Sequence, residues 1–269
     1  MPIEFYKKNR PYAELLRDAD PRQFQSLPQV CASQAFHQKY ERALRAAKTP
    51  PSVILDVGCG VGQVVRSLAE AGFQAHGVEV SETNLALARE HPGQFHAYDG
   101  CTLPFPDHAV DAVGAFNVLE HVEAPAALLD EMTRVLRPGG HIVISSPNFL
   151  RALGWRDYHS HMRGFRQKWR NAKTLLHHLK IYTTDPQALL FEKMTPIRRE
   201  SFQCDDDAVI ATNAVDFRQY LHTRNYEKIR VSCVDRPVPQ WIEASLDFTP
   251  LRFLILNSFV TAEKPAGAG

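Results

Sequence analysis

From residue 52 onwards, short apolar runs alternate with segments whose apolar residues recur at helical spacing. The apolar runs predict five strands, at residues 53–57, 74–79, 94–98, 109–116 and 141–146. Helical segments follow the first, second and fourth of these strands. Because parallel strands are joined by crossover helices, this alternation predicts a parallel sheet with helices on both faces.

The pattern before residue 52 is helical. One helix is predicted near Tyr12–Ala19, and a clearer one over about Ser33–Lys48. Pro50 and Pro51 end the second helix, because proline cannot continue it. This segment is predicted to form a cap on the core.

After residue 148 the alternation stops and later resumes. An Arg- and His-rich stretch contains a predicted helix over about Ala172–Tyr182. A helix over about Ala214–Thr223 and strands at Lys228–Val234 and Arg252–Ala262 follow. The predicted organisation is a cap (1–50), a core (51–148), an insertion or lid (149–212), the last part of the core (213–264) and a disordered tail (265–269).

The strongest local chemical signal follows the first strand. Gly58, Gly60 and Gly62 occupy alternate positions in a turn that leads into a helix. Glycine lets the backbone turn tightly and come close to a ligand, and the helix N-terminus favours an anionic group there. The pattern indicates a nucleotide-type pocket at the carboxyl end of a strand. Its G-x-G-x-G spacing differs from the G-x-G-x-x-G of dinucleotide enzymes.

Composition narrows the class of protein. The 269 residues are 44% hydrophobic, which suits one domain with an insertion. The 31 basic and 30 acidic residues give a net charge of +1, so no global field favours nucleic acid. Five scattered cysteines without a C-x-x-C favour free thiols over disulfides or a zinc site. With a charged N-terminus and no long apolar run, a cytoplasmic protein that does not insert into membranes is expected.

Five motifs occur in register across residues 52–148. The chain resembles the class I S-adenosylmethionine-dependent methyltransferases, particularly their small-molecule "type 11" group. The resemblance implies a doubly wound, mostly parallel seven-stranded sheet that ends in an antiparallel pair. It also implies S-adenosylmethionine as the cofactor. The motifs are Leu55–Gly62, Gly77–Ser81, Asp99–Asp107, Asn117–Val122 and Arg134–Gly140.

The resemblance assigns cofactor contacts by position. Glu79, at the end of the second strand, would take both ribose hydroxyls, and Asp56 would receive the cofactor's ammonium. Asp99 would accept from the adenine amino group, although it could simply form a turn before Gly100. Leu103 and Phe105 are weaker candidates for walls of the adenine site, since such residues are more often core. The full expected set is Asp56, Gly58, Cys59, Gly60, Gly62, Glu79, Val80, Asp99, Gly100, Cys101, Phe116 and Asn117.

Methyl transfer needs a base only when the acceptor keeps its proton until attack. His121 is the first candidate base, and packing of Glu120 and His121 is the alternative. The ubiquinone-pathway O-methyltransferases have a similar stretch, with two glutamates before the His that suggest a metal site. Here Asn117 stands at the first of those positions, so no metal is expected.

Two further histidines, His159 and His161, form an H-x-H within the insertion. They lack a convincing third metal ligand. A loop role is favoured for them, or a contact with the acceptor, and they are kept as secondary catalytic candidates.

The insertion is strongly cationic. Residues 148–203 contain eleven Lys or Arg residues and four acidic residues, which gives this segment a net charge of +7. Arg166 and Arg170 lie beside aromatic residues and are candidates for binding an anionic small molecule. The alternative is a solvated face balanced by acids such as Asp205–Asp207. Nucleic acid is a weaker possibility, because the aromatic residues are few.

The expected function is O-methylation of a small molecule, with an anionic or sugar-type metabolite as the candidate acceptor. Methylation of nitrogen or carbon and a non-catalytic cofactor-binding regulator are the alternatives. An NAD-dependent oxidoreductase is a remote one, because its glycine spacing would differ.

Overall fold

The computed structural model describes residues 28–46, 48–154, 157–197, 205–233, 245–255 and 257–267. Its strands form one seven-stranded sheet with the order β3-β2-β1-β4-β5-β7-β6. β1 to β5 run parallel, and β7 is antiparallel to both β5 and β6. The predicted fold is confirmed. The strands are β1 (Val53–Val57), β2 (Gln74–Glu79), β3 (Gln94–Ala97), β4 (Val110–Phe116), β5 (Leu136–Ser146), β6 (Glu227–Cys233) and β7 (Ser258–Glu263).

Six α-helices and two short 3₁₀ helices are described with this sheet. The helices are α1 (Pro28–Arg45), α2 (Gln63–Glu70), α3 (Glu82–Ala88), α4 (Pro125–Val135), α5 (Phe165–Thr184) and α6 (Ala214–Thr223), with 3₁₀ helices at Leu119–His121 and Pro250–Phe253. α5 is longer than the predicted Ala172–Tyr182, because it already begins after Gly164. The helix predicted near Tyr12–Ala19 lies outside the described residues.

The last strand is shorter than predicted. Arg252 falls in the 3₁₀ helix Pro250–Phe253, and the strand begins only at Ser258. The side chain of Thr249 accepts a hydrogen bond from the Leu251 amide, which starts a helical turn at the proline. Local capping therefore outweighs the apolar pattern that predicted a strand here.

The apolar side chains of each strand alternate between two cores. Leu55 of β1 and Ile142 of β5 pack on the face covered by α4 and α6. Ile54 and Val143, their neighbours in sequence, pack on the face covered by α1 and α2. Helices therefore cover both faces, as the doubly wound architecture requires.

The insertion has a smaller core of its own. Phe149, Met162 and Leu175 are buried there together with Val215 of α6. The insertion is therefore fastened to the last helix of the main core.

The strand order determines where a ligand-binding crevice can form. β1 lies between β2 and β4, so the connections leaving β1 and β4 diverge to opposite faces. A crevice opens at the carboxyl ends of strands at such a switch point. No helix among the described residues has the length and apolar character needed to cross a bilayer.

Candidate functional site

The glycine turn after β1 is built from backbone. The amides of Gly58 and Cys59 both donate to the Val78 carbonyl, at 2.8 and 3.0 Å. Gly60 has a φ of +54°, and a Cβ added to it would meet nothing within 4 Å. A Cβ on Gly58 would overlap Val118. Gly58 is thus required by packing, whereas Gly60 faces open space beside the turn.

The buried carboxylate of Glu79 holds this turn against β2. Its Oε2 accepts from the Gly60 amide at 2.9 Å, and its Oε1 accepts from Val80 and Ser81 at 2.9 and 3.0 Å. Burial raises the pKa of Glu79, and the three amide donors oppose that rise. Glu79 is therefore no solvated strand-end carboxylate. Its contact with ribose stays a prediction.

Asp56 is tied to the N-terminal helix. The Tyr40 hydroxyl, on α1, donates to Asp56 Oδ1 at 2.7 Å, and both residues are buried. A Cβ on Gly114 would overlap the Tyr40 ring, so this glycine of β4 makes room for it. Burial raises the pKa of Asp56 to about 7; the Tyr40 hydrogen bond lowers it and the charge of Glu79 raises it. From the sequence, Tyr40 is one of the residues at helical spacing in the predicted helix Ser33–Lys48, with no further role indicated. A hydroxyl on that apolar face was the available signal.

Asp99 forms the turn that was the alternative to adenine binding. Its Oδ1 accepts from the Cys101 and Thr102 amides at 2.8 and 2.7 Å. Gly100 follows with a φ of +85°. One carboxylate oxygen therefore organises the loop, and the contact with adenine stays a prediction.

The two weaker candidates for the adenine wall have ordinary packing partners. Leu103 is buried in the main core. The Phe105 ring packs edge-on against His76 and His96, with centroids 5.4 and 5.2 Å away. Their packing accounts for both residues without a ligand.

The end of β4 lies against the glycine turn. Phe116 packs on Tyr40 and His37, with ring centroids 5.3 and 4.7 Å apart. Asn117 is exposed and has a φ of +53°, a conformation that asparagine tolerates better than most residues. Val118 then contacts Gly58. The expected cofactor residues of β1 and β4 therefore share one edge of the sheet.

His121 lies among carboxylates from a distant part of the chain. Its Nδ1 lies 3.4 Å from Asp207 Oδ2, and its Nε2 lies 3.9 Å from Asp205 Oδ1 and 3.8 Å from Glu120 Oε1. From the sequence, Asp205–Asp207 are expected only as acids that balance the arginines of the insertion. The fold instead brings them to the candidate base.

Glu120 is fully buried and anchors this cluster. Ser146 Oγ donates to its Oε2 at 2.6 Å, and its carbonyl accepts from the Val209 and Ile210 amides. Burial raises its pKa to about 7; His121 lowers it and Asp205 raises it. Within the described ranges, its Oε1 has no hydrogen-bond donor. The packing role considered for Glu120 is thus present in the structure.

The same cluster has the donor chemistry of a metal site. Glu120, His121 and Asp205 each offer one atom, and these atoms lie within 4.8 Å of one another. Imidazole and carboxylate donors suit divalent transition metals. The absence of metal, expected because Asn117 replaces a glutamate, stays a prediction. Asp205 supplies a third donor that no local motif indicates.

His159 and His161 are held by the packing of the insertion. His159 is buried edge-on to Phe149, with centroids 5.0 Å apart, and its Nδ1 accepts from the His161 amide at 3.3 Å. Asn171 Nδ2 donates to the His161 carbonyl at 2.8 Å. These contacts suit the favoured loop role, and catalysis by either histidine stays a prediction.

Arg166 and Arg170 are exposed on α5. Arg170 Nη1 donates to Gln167 Oε1 at 3.4 Å. Across the described ranges, no hydrogen bond joins either arginine to the expected cofactor residues. The cations at 156, 198 and 199, also counted in the insertion's charge, lie outside the described residues.

Two of the five thiols can be described. Cys59 is buried and Cys101 is exposed, and both are free, as the sequence predicts. Desolvation raises the pKa of Cys59, and the charges of Asp56 and Glu79 raise it further. The side chains of the other three cysteines lie outside the described residues.

Comparison with known proteins points to the same family. A family model described as a methyltransferase domain matches residues 55–144. A curated uncharacterized methyltransferase from Mycolicibacterium vanbaalenii is 41% identical over 108 residues, which are 39% of this chain and 42% of that protein. One from Mycolicibacterium gilvum is 38% identical over 120 residues, 43% of this chain and 47% of that protein. The chain therefore spans under half the length of these curated relatives.

Solved structures share the fold at low identity. Magnesium protoporphyrin IX methyltransferase from Synechocystis, crystallised with S-adenosylhomocysteine, is 15% identical with a TM-score of 0.55, and the match covers 97% of each chain. An S-adenosylmethionine-dependent methyltransferase from Mesorhizobium loti is 18% identical with a TM-score of 0.53, covering 84% of this chain and 99% of that chain. The predicted resemblance to class I methyltransferases is confirmed.

Proposed function

We propose that this chain, whose residues 55–144 match a family model described as a methyltransferase domain, transfers a methyl group from S-adenosylmethionine to an oxygen of a small molecule. One observation carries the proposal. The Cα of Gly60 faces open space just after β1, the strand that carries the buried Asp56, and its amide is held by the buried carboxylate of Glu79. The Synechocystis neighbour was crystallised with S-adenosylmethionine as well as with its demethylated product, which supports this cofactor.

Each cofactor group has a proposed partner. The backbone at Gly58–Gly62 and the N-terminus of α2 would hold the methionyl carboxylate. Asp56 would bind the ammonium, since the Tyr40 hydrogen bond favours its charged form. Glu79 would bind the ribose hydroxyls, with Val80 beside it. Asp99, Gly100 and Cys101 would border the adenine. Phe116 and Asn117 would border the methyl end.

Bound S-adenosylmethionine would supply an electrophilic methyl carbon, to which the acceptor oxygen would bond as the bond to sulfur breaks and S-adenosylhomocysteine leaves. The protein mainly aligns the two reactants, and such positioning contributes about 7–11 kcal/mol.

The acceptor's proton would pass to Nε2 of His121, whose Nδ1 would already carry a proton. Asp207 near its Nδ1 and Asp205 near its Nε2 would stabilise the imidazolium that forms. The same residues also have the donors of a metal site, so chelation distinguishes a base from a metal ligand.

The proposed acceptor is anionic and small. The outward cations Arg166 and Arg170 support this proposal, because guanidinium binds carboxylate and phosphate oxygens in pairs. Transfer to nitrogen or carbon would leave the cofactor contacts unchanged.

Calorimetric titration with S-adenosylmethionine, S-adenosylhomocysteine and NAD tests the cofactor. Micromolar binding of the first two without NAD is expected. Glu79→Gln should weaken both, and Arg89→Gln on an exposed part of the chain should weaken neither. Binding of NAD alone, or no binding by folded protein, would contradict the proposal. If the protein binds S-adenosylmethionine but produces no S-adenosylhomocysteine with any of a panel of anionic metabolites, a non-catalytic regulator is favoured.

A further inference from the structure

The outer face of α5 carries large apolar side chains in water. Phe165, Trp169, Leu176 and Leu179 are 84%, 59%, 66% and 44% exposed. At about 100° per residue these four side chains share an arc of about 80°. From residue 165 to residue 179, fourteen helical steps, they form a line about 21 Å long. Isolated exposed apolar residues need no explanation, but a continuous line of this length marks an interaction surface.

The opposite face of the same helix is already used. Asn171, Leu175, His178 and Tyr182 are buried against the rest of the insertion and α6. Asn171 Nδ2 donates to the Phe149 and Arg151 carbonyls at 2.9 and 3.2 Å. The buried face of α5 is therefore fixed by packing and hydrogen bonds. The helix cannot rotate to bury the exposed apolar side chains in the core instead.

A cationic row runs beside the apolar line. α5 contains no acidic residue, and on the helix Lys180, Lys173, Arg166 and Arg170 follow the apolar arc on one side. In the part of the chain that the structure describes, no carboxylate forms an ion pair with these four. Lys173 Nζ lies 5.5 Å from the centre of the Trp169 ring. On the other side of the line, Lys168 pairs with Asp157 at 2.9 Å.

We infer that the outer face of α5 docks on an anionic lipid bilayer. The bilayer surface offers apolar chains next to a layer of negative headgroups, which complements an apolar arc bordered by cations. Aromatic rings suit the interfacial depth, and Lys and Arg side chains can extend to the headgroups. Nucleic acid fits less well, because Leu176 and Leu179 offer no ring on which a base can stack. The inference does not depend on the proposed methyl transfer.

The test is sedimentation of the full chain with vesicles of phosphatidylcholine, with and without phosphatidylglycerol. The chain is expected to bind the vesicles that contain phosphatidylglycerol, and added salt should weaken that binding. Binding to vesicles without the anionic lipid should be weak. Arg166→Gln with Arg170→Gln should weaken binding roughly 30-fold, because each cation near the surface contributes separately. Phe165→Ser with Trp169→Ser should weaken it by about 100-fold.

Matched variants separate this surface from general effects. Phe248 is 90% exposed outside α5, so Phe248→Ser should leave binding unchanged. Arg66→Gln with Arg89→Gln removes a half-buried and an exposed charge outside α5 and should change it little. Trp169→Phe keeps an aromatic ring and should retain binding, which controls for misfolding.

No sedimentation of the wild-type chain with phosphatidylglycerol vesicles would overturn the inference, as would equal binding by all variants. The inference is also overturned if the wild-type chain is a dimer in solution and Phe165→Ser with Trp169→Ser makes it monomeric. The outer face of α5 would then bind a second copy of the chain.

Discussion

The hydroxyl of Tyr40 donates to Asp56 Oδ1 at 2.7 Å, which links the N-terminal helix to the expected ammonium site. The hydrogen bond favours the charged form of Asp56 and so opposes the effect of burial on its pKa. The N-terminal helix is thereby tied to the residue expected to bind the cofactor's ammonium.

Tyr40→Phe should raise the pKa of Asp56 above about 7, because the stabilising donor is lost. At neutral pH more of the carboxyl is then protonated, and affinity for S-adenosylmethionine should fall about tenfold or more. Titration calorimetry measures this loss. Tyr226→Phe is the matched control, since that hydroxyl contacts Thr133 in the main core. An unchanged affinity in Tyr40→Phe would separate Asp56 from cofactor binding.

Asp56 should also make stability depend on pH. Its pKa is raised from 3.8 to about 7 by burial, so the folded state binds a proton that the unfolded state releases. The free energy of unfolding should therefore fall as pH rises from about 4 to about 7, by up to about 4 kcal/mol from this group. Denaturant unfolding across this range measures the slope. Asp56→Asn keeps an acceptor for Tyr40 and should lack this contribution. Parallel slopes in both proteins would refute it.

Gly60→Ala should abolish cofactor binding without unfolding the protein. The added methyl points into open space, and the positive φ costs about 1–2 kcal/mol. Gly139→Ala is a matched control, since Gly139 has a φ of +70° and an equally open Cβ position in β5. Both variants should lose similar stability in thermal unfolding, and only Gly60→Ala should lose affinity. Normal binding by Gly60→Ala would place the cofactor elsewhere.

His121→Gln should reduce kcat by about 10²–10⁴-fold and leave the affinity for S-adenosylmethionine unchanged. Steady-state kinetics with an identified oxygen acceptor, alongside cofactor titration, measures both. Asp207→Asn should reduce kcat less, because it removes only the partner at Nδ1. If chelation abolishes wild-type turnover and Mn²⁺ restores it, His121 is a metal ligand rather than the base.

Arg166→Ala with Arg170→Ala should raise KM for an anionic acceptor without changing cofactor affinity, because both charges lie outside the glycine turn. The assay is run without vesicles, so that docking on lipid does not contribute. Lys173→Ala with Lys180→Ala removes two charges from the same helix and serves as the comparison. Equal effects of the two pairs would mean that α5 acts through its total charge and not through these arginines.

The sequence alone determined the features that depend on short stretches of chain. Periodicity fixes which side chains of a strand share a face, so the doubly wound sheet and its glycine turn are predictable. The position of Glu79 at the end of β2 follows from the same local pattern. Local patterns failed where capping competed with them, as at Pro250, which begins a helical turn that runs into the first residues of the predicted strand.

Only the tertiary structure decided which distant groups meet. Tyr40 reaches Asp56 across the face of the sheet through space left by Gly114. Asp205 and Asp207 reach His121 from the far end of the insertion. Such contacts depend on how helices and loops pack over the sheet, and a single sequence holds no periodic signal for that packing. The same packing leaves one face of α5 covered and the other, with Trp169, in water.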